Sequence, residues 1–157
     1  MFLKRDDVKE IKVGLGFERF PVKFTGEGKN LSPPLTLDGA EGKSMAMIVD
    51  DPDAPSGTWV HWVIWNMPVL VKVPEGVPKG REIVNPFRAR QGTNSGRGLG
   101  YDGPFPPQGH GTHHYHFKVF ILDGPLDLQP GADKAALEAA MEGHLLQRGE
   151  AVATYSR

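Results

Sequence analysis

The stretch at residues 92–122, GTNSGRGLGYDGPFPPQGHGTHHYHFKVFIL, constrains this chain more than any other. Seven glycines and three prolines fall between Gly92 and Gly111. Glycine makes regular structure entropically costly and proline removes a backbone donor, so neither a helix nor a strand ladder runs through that part. Residues 113–122 then alternate. His113, Tyr115, Phe117, Val119 and Ile121 fall on one side, and His114, His116 and Lys118 on the other. Successive side chains of a strand point to opposite faces. The pattern therefore predicts a strand that carries an imidazole and a phenol at the start of its apolar face. A long loop leads into it, and loops of this length in a compact domain are usually functional or disordered. The aromatics and prolines here argue against disorder.

The rest of the chain bounds what such a strand can serve. At 157 residues, residues 1–157 read as one domain. The 18 Lys and Arg nearly balance the 19 Asp and Glu, for a net charge of −1, and no run of like charges suggests nucleic acid or a polybasic membrane contact. The absence of cysteine excludes disulfides and thiolate metal sites. The N-terminal MFLKRDDVKEIK is charged where a signal peptide needs an apolar core. The longest uncharged apolar run, residues 58–71, contains His61 and Asn66 and is too short to cross a bilayer. The expectation is a cytoplasmic protein with no integral membrane segment.

In chain order, FERFPVKF at 17–24 reads as an edge strand, since Pro21 is tolerated there. SMAMIV at 44–49 reads as a strand buried on both faces that delivers Asp50 and Asp51 at its end. DPDAPSG at 51–57 must leave the sheet. TWVHWVIWNM at 58–67 reads as a central strand with Trp59, His61, Val63 and Trp65 on one face and Val60, Trp62 and Ile64 on the other. Residues 68–90 are mostly connection. Residues 132–148 have helical spacing, with Asp133 suited to the start, Gly149 to the stop and His144 partly buried on the helix. Residues 151–155 alternate as a last strand. The expected fold is mainly β, with one helix near the C-terminus.

Several motifs compete for function. Gly98 to Gly103 matches the dinucleotide fingerprint G-x-G-x-x-G, but no strand precedes it and prolines follow it, so it is set aside. The cluster of His110, His113, His114 and His116 invites a metal. The alternation opposes a compact four-histidine site, places His114 and His116 on a solvated face, and leaves open only a site from His61, His113 and Asp51. No G-x-S-x-G elbow is present for a serine hydrolase. What remains is Asp51 at a strand end, His61 within a central strand, and His113 with Tyr115. A carboxylate can hold an imidazole in one tautomer. Imidazole N–H groups, a phenol and the backbone amides of the 103–111 loop can receive an anion.

At these residues the chain resembles the phosphatidylethanolamine-binding protein family, in its bacterial and archaeal Raf-kinase-inhibitor-like branch. The resemblance lies in DPDAP at 51–55, HW at 61–62 and G-x-H-x-Y at 111–115, supported by NLSPPL at 30–35, YDGPFPPQG at 101–109 and the terminal GHLL…ATYSR. It implies two antiparallel sheets and a small pocket for phosphate-type anions or phospholipid headgroups. The family's ligand residues carry over to Asp51, His61, His113 and Tyr115, with Asp53 and Pro55 shaping the wall. Gly103, Phe105 and Gly111 belong to the expected ligand-binding loop. The resemblance also implies a cis Ala54–Pro55 peptide. Where the family commonly has Arg after the second histidine, this chain has His114. The reading is a binding or regulatory protein without cofactor or catalytic set, acting on an anionic small molecule, a phosphorylated headgroup or a partner protein, with a homodimer left open. The alternative is a metal- or His-dependent hydrolase using the same pocket.

Overall fold

The structure is a computed structural model that describes residues 7–157, so the first six residues of the charged N-terminal stretch lie outside it. Ten strands and one helix are named. They are β1 Lys9–Glu10, β2 Lys12–Gly14, β3 Leu35–Asp38, β4 Ser44–Asp51, β5 Trp59–Met67, β6 Lys72–Val73, β7 Glu82–Ile83, β8 Ala89–Gln91, β9 His113–Leu122, α1 Lys134–Met141 and β10 Leu145–Tyr155. They form a seven-stranded sheet in the order β1-β10-β9-β4-β5-β8-β7 and a three-stranded sheet in the order β2-β3-β6. All pairings are antiparallel except that of β1 with β10 at the edge.

The apolar runs explain the order. All eight residues of β4 are buried, as a strand must be when both its faces are covered. It lies between β5 and β9, whose own runs are almost as apolar. One face of the large sheet packs on the small sheet through Met45, Met47, Val49, Trp62, Ile64, Phe117, Val119 and Ile121, against Leu35, Leu37 and Val73. The opposite face carries Ala46, Ile48, Val63, Trp65 and Leu122 and is covered by Leu126, Leu137 and Met141. The core is thus two layers of side chains sharing one central sheet. A partly buried ion cluster joins the sheet to the helix on this second side. Asp50, next to Asp51 but on the opposite face, receives Lys118 Nζ at 3.1 Å and Lys134 Nζ, the first residue of α1, at 2.7 Å.

Four local expectations are corrected or refined. Residues 17–24 form no strand. Arg19 makes a single bridge to Thr154, and a 3-10 turn follows at Val22–Phe24, because Pro21 cannot donate to a ladder and the rings of Phe17, Phe20 and Phe24 gather on the core instead. The helix ends at Met141 rather than running to 148. Gly143, at φ 80°, turns the chain, and β10 takes up residues 145–155. Gly149 therefore sits inside a strand, and His144 is an exposed residue paired with Asp123 at 2.9 Å, not a helix residue. Residues 68–90 carry three short strands within the connection.

The fourth correction concerns β5. Asp50 opposes Val60 and Val49 opposes Trp62, so His61 is an extra residue in β5, a bulge. The phase of the strand changes there. Val60 packs with Val63 and Trp65, while His61 lies towards Tyr115 and Trp62 joins Ile64 in the other layer. Strict alternation places His61 with Val63 and Trp65, and the bulge removes it from them.

Candidate functional site

The C-terminal end of β4, the N-terminal halves of β5 and β9, and the loop before β9 meet around one cavity of about 350 Å³. Its wall includes Asp51, Pro55, His61, Gly103, Phe105, His113 and Tyr115 from the expected set. Asp53 and Gly111 are not part of that wall. Asp53 instead accepts from the backbone N–H of His114 at 2.8 Å and meets the His114 ring at 2.8 Å. The hydrogen bonds from His114 hold its carboxyl below the usual 3.8. His116 pairs with Glu150 at 2.9 Å, so His114 and His116 both face away from the cavity, as the alternation requires.

Asp51 is the anchor. Its Oδ1 accepts the Asp53 N–H at 2.7 Å, and its Oδ2 accepts from His113 Nδ1–H at 2.6 Å, with both side chains buried. The first bond, with the Gly57 N–H donating to the Ala54 carbonyl at 3.1 Å, turns the chain out of β4. The turn needs no cis bond at Ala54–Pro55. The described cis peptide is Asn85–Pro86, which corrects that expectation.

His61 is fixed by residue 102. The Asp102 N–H donates to the His61 carbonyl at 3.0 Å, and His61 Nδ1 lies 2.6 Å from the Asp102 carbonyl. A carbonyl can only accept, so Nδ1 carries the proton and Nε2 keeps a lone pair. Burial, partly offset by that hydrogen bond and by Asp51, pushes the His61 pKa below 6.5 and favours the neutral ring. The Tyr115 hydroxyl and His61 Nε2 make no hydrogen bond among the described residues. No buried side-chain polar atom among the described residues goes unpaired, so both atoms open onto the cavity. Burial, with Asp51 and Asp53 nearby, pushes the Tyr115 phenol above its ordinary 10.0, so it stays a donor. The His61 and Tyr115 rings meet edge to face at 5.2 Å.

Beside the expected Phe105, several participants lay outside the expected set. Trp59, 37% exposed, and Phe105, 56% exposed, form an apolar rim with Pro106 and Pro107. Arg157 packs its guanidinium 3.8 Å from the centre of the Phe105 ring and donates to the Pro106 carbonyl at 2.6 Å. His110 Nδ1 lies 2.7 Å from His113 Nε2. Only the order of residues around the cavity brings these together. The loop amides are less available than expected. The Gly103 N–H donates to Asn30 Oδ1 at 2.7 Å, that of Gly109 to the Arg157 carbonyl at 3.1 Å, and that of His110 to the Pro107 carbonyl at 3.2 Å.

No group of three or more metal-ligating side chains gathers among the described residues, so the His61–His113–Asp51 set has no coordinating arrangement. No hydroxyl is hydrogen-bonded to an imidazole among those residues either. No helix among them is long and apolar enough to cross a membrane.

Known proteins share this arrangement of chain. The phosphatidylethanolamine-binding protein family model matches residues 13–156. A UPF0098 protein of Pyrococcus abyssi is 51% identical over 142 residues, covering 89% of this chain and 80% of the relative. One from Methanothermobacter thermautotrophicus is 46% identical over 142 residues, covering 88% and 91%. Among solved structures, E. coli YbcL, described as a member of the mammalian PEBP family, superposes with a TM-score of 0.83 at 28% identity, covering 94% of this chain and 98% of its own. A PEBP homolog of Chlamydia trachomatis gives 0.81 at 30%, covering 96% and 99%.

Proposed function

The chain belongs to the phosphatidylethanolamine-binding protein family, and from that premise we propose that it is a binding or regulatory protein whose cavity takes a phosphate-type group, free or as a phosphorylated headgroup. One observation carries the reading. Tyr115 and His61 each leave a hydrogen-bonding atom open to a cavity whose wall combines Pro55, Pro106, Pro107, Trp59 and Phe105 with the polar Asp51, Ser56, Asp102 and His113. Small-ligand sites combine apolar walls with a few placed polar groups in this way. Tyr115 offers a donor to an oxyanion, and the His61 lone pair suits a ligand that brings its own proton, such as a hydrogen phosphate monoester or an ammonium group. Trp59 and Phe105 at the rim suit the apolar part of that ligand. Asp51, His113, Gly103 and Pro55 hold the wall, while Asp53 and Gly111 support the loops outside it. The reading places the protein in the cytoplasm and leaves a protein partner free to use the same mouth.

Titration calorimetry with inorganic phosphate and phosphoethanolamine tests this. Tyr115→Phe removes a hydroxyl with no partner among the described residues, so the fold is expected to be unaffected. Binding weakens by about tenfold or more, as for a hydrogen bond to a charged acceptor. Equal affinity in wild type and variant would remove Tyr115 from the site.

A further inference from the structure

We propose that His110 is a built-in placeholder: it occupies the second ring nitrogen of His113, and the ligand's oxyanion takes its place on binding. This rests on the binding reading above and concerns how that site opens. His113 has no valence to spare, since Asp51 holds Nδ1 at 2.6 Å and His110 holds Nε2 at 2.7 Å. The two ends of this chain differ in character. Asp51 and His113 are buried, at 3% and 2% exposure, and Asp51 is further tied by the Asp53 N–H. His110 is exposed and its ring is tilted 55° to that of His113. It also sits between Gly109 and Gly111, at φ 73° and 95°, and a Cβ at either would have no atom within 4 Å. The backbone here stays tied by the Gly109 N–H to the Arg157 carbonyl and the His110 N–H to the Pro107 carbonyl, so it is the exposed His110 ring that turns aside about its own side-chain bonds. Its removal exposes a nitrogen whose other side is already anchored to a carboxylate. A hydrogen phosphate group can meet that nitrogen by donating its P–OH to the neutral ring. It can also accept from the imidazolium, whose charge Asp51 balances.

The test measures inorganic phosphate affinity for wild type, His110→Ala and His110→Asn by calorimetry. The alanine variant has no placeholder and binds about two- to tenfold more tightly, the span of one net hydrogen bond. The asparagine variant keeps a donor near the Nδ1 position and stays close to wild type. Long-range nitrogen–proton NMR of the wild-type imidazoles gives a readout that needs no variant: saturating phosphate releases His110 Nδ1 to the shift of a free exposed ring while His113 Nδ1 stays bonded to Asp51. An alanine variant of unchanged affinity would make His110 a bystander, and one of weaker affinity would make it a direct ligand contact; either overturns the placeholder. Phosphate that binds wild type yet leaves the His110–His113 bond in place overturns it too. Failure of phosphate to bind any of the three folded proteins would instead defeat the proposed function itself.

Discussion

His61 sets burial against charge, and burial wins. Its pKa is pushed below 6.5, so the folded protein resists a proton that the unfolded chain takes up near pH 6.5. Between those two values the unfolded state binds more protons, and stability rises with pH. The full contribution is therefore present above about pH 6.5 and is lost as pH falls towards the folded pKa. Thermal unfolding across this window will show a melting temperature that drops on acidification. His61→Asn keeps a donor for the Asp102 carbonyl but does not titrate, so its acid slope is expected to be shallower. Identical slopes would mean that His61 does not drive the dependence. The same neutrality bears on anion capture. Sulfate, whose charge is constant over roughly pH 5 to 8, binds more tightly at the acid end if an imidazolium receives it. A flat profile would point to Tyr115 and the remaining loop amides.

Among the elements, the loop before β9 is held by close approach rather than by regular hydrogen bonding. A Cβ at Gly103 would lie 2.3 Å from the Phe24 carbonyl oxygen and 2.6 Å from Asn30 Oδ1, both fixed groups. Gly103→Ala must move this backbone and break the Asn30 bond, at a cost of about 1–3 kcal/mol in urea unfolding. A Cβ at Gly124 would meet no atom within 4 Å, and Gly124→Ala is expected to be neutral or stabilising by about 0.4–1 kcal/mol. Equal effects at the two sites would show that the loop relaxes freely. The helix belongs to the same scale. Its spacing predicted seventeen residues where eight form, because β10 gains a full ladder against β9 by taking residues 145–155.

Over the whole molecule, the two apolar layers share β4, β5 and β9 and so cannot come apart independently. Trp62 reports the layer against the small sheet, and Trp65 the layer under the helix. Within each single-tryptophan variant, tryptophan fluorescence and far-UV circular dichroism are expected to give coincident urea midpoints, the mark of one cooperative transition. Separated midpoints would make the small sheet an independent unit.

Alternation alone determined that β9 turns His113 and Tyr115 one way and His114 and His116 the other, because side-chain period two is a property of any extended backbone. Local chemistry likewise marked β4 as doubly buried, residues 92–112 as loop, and Asp133 as the helix start, where its side chain accepts from the Ala136 N–H at 2.9 Å. Tertiary structure decided what no local period encodes. The small sheet is built from strands of two to four residues, too short to carry a pattern. The bulge at His61 exists because β4 and β5 pair out of step, and register is a property of two strands, not of one. The occupation of His113 by His110, and of His61 by the Asp102 carbonyl, follows from where a loop closes. Which ring nitrogens remain open to the cavity is set by those long-range contacts.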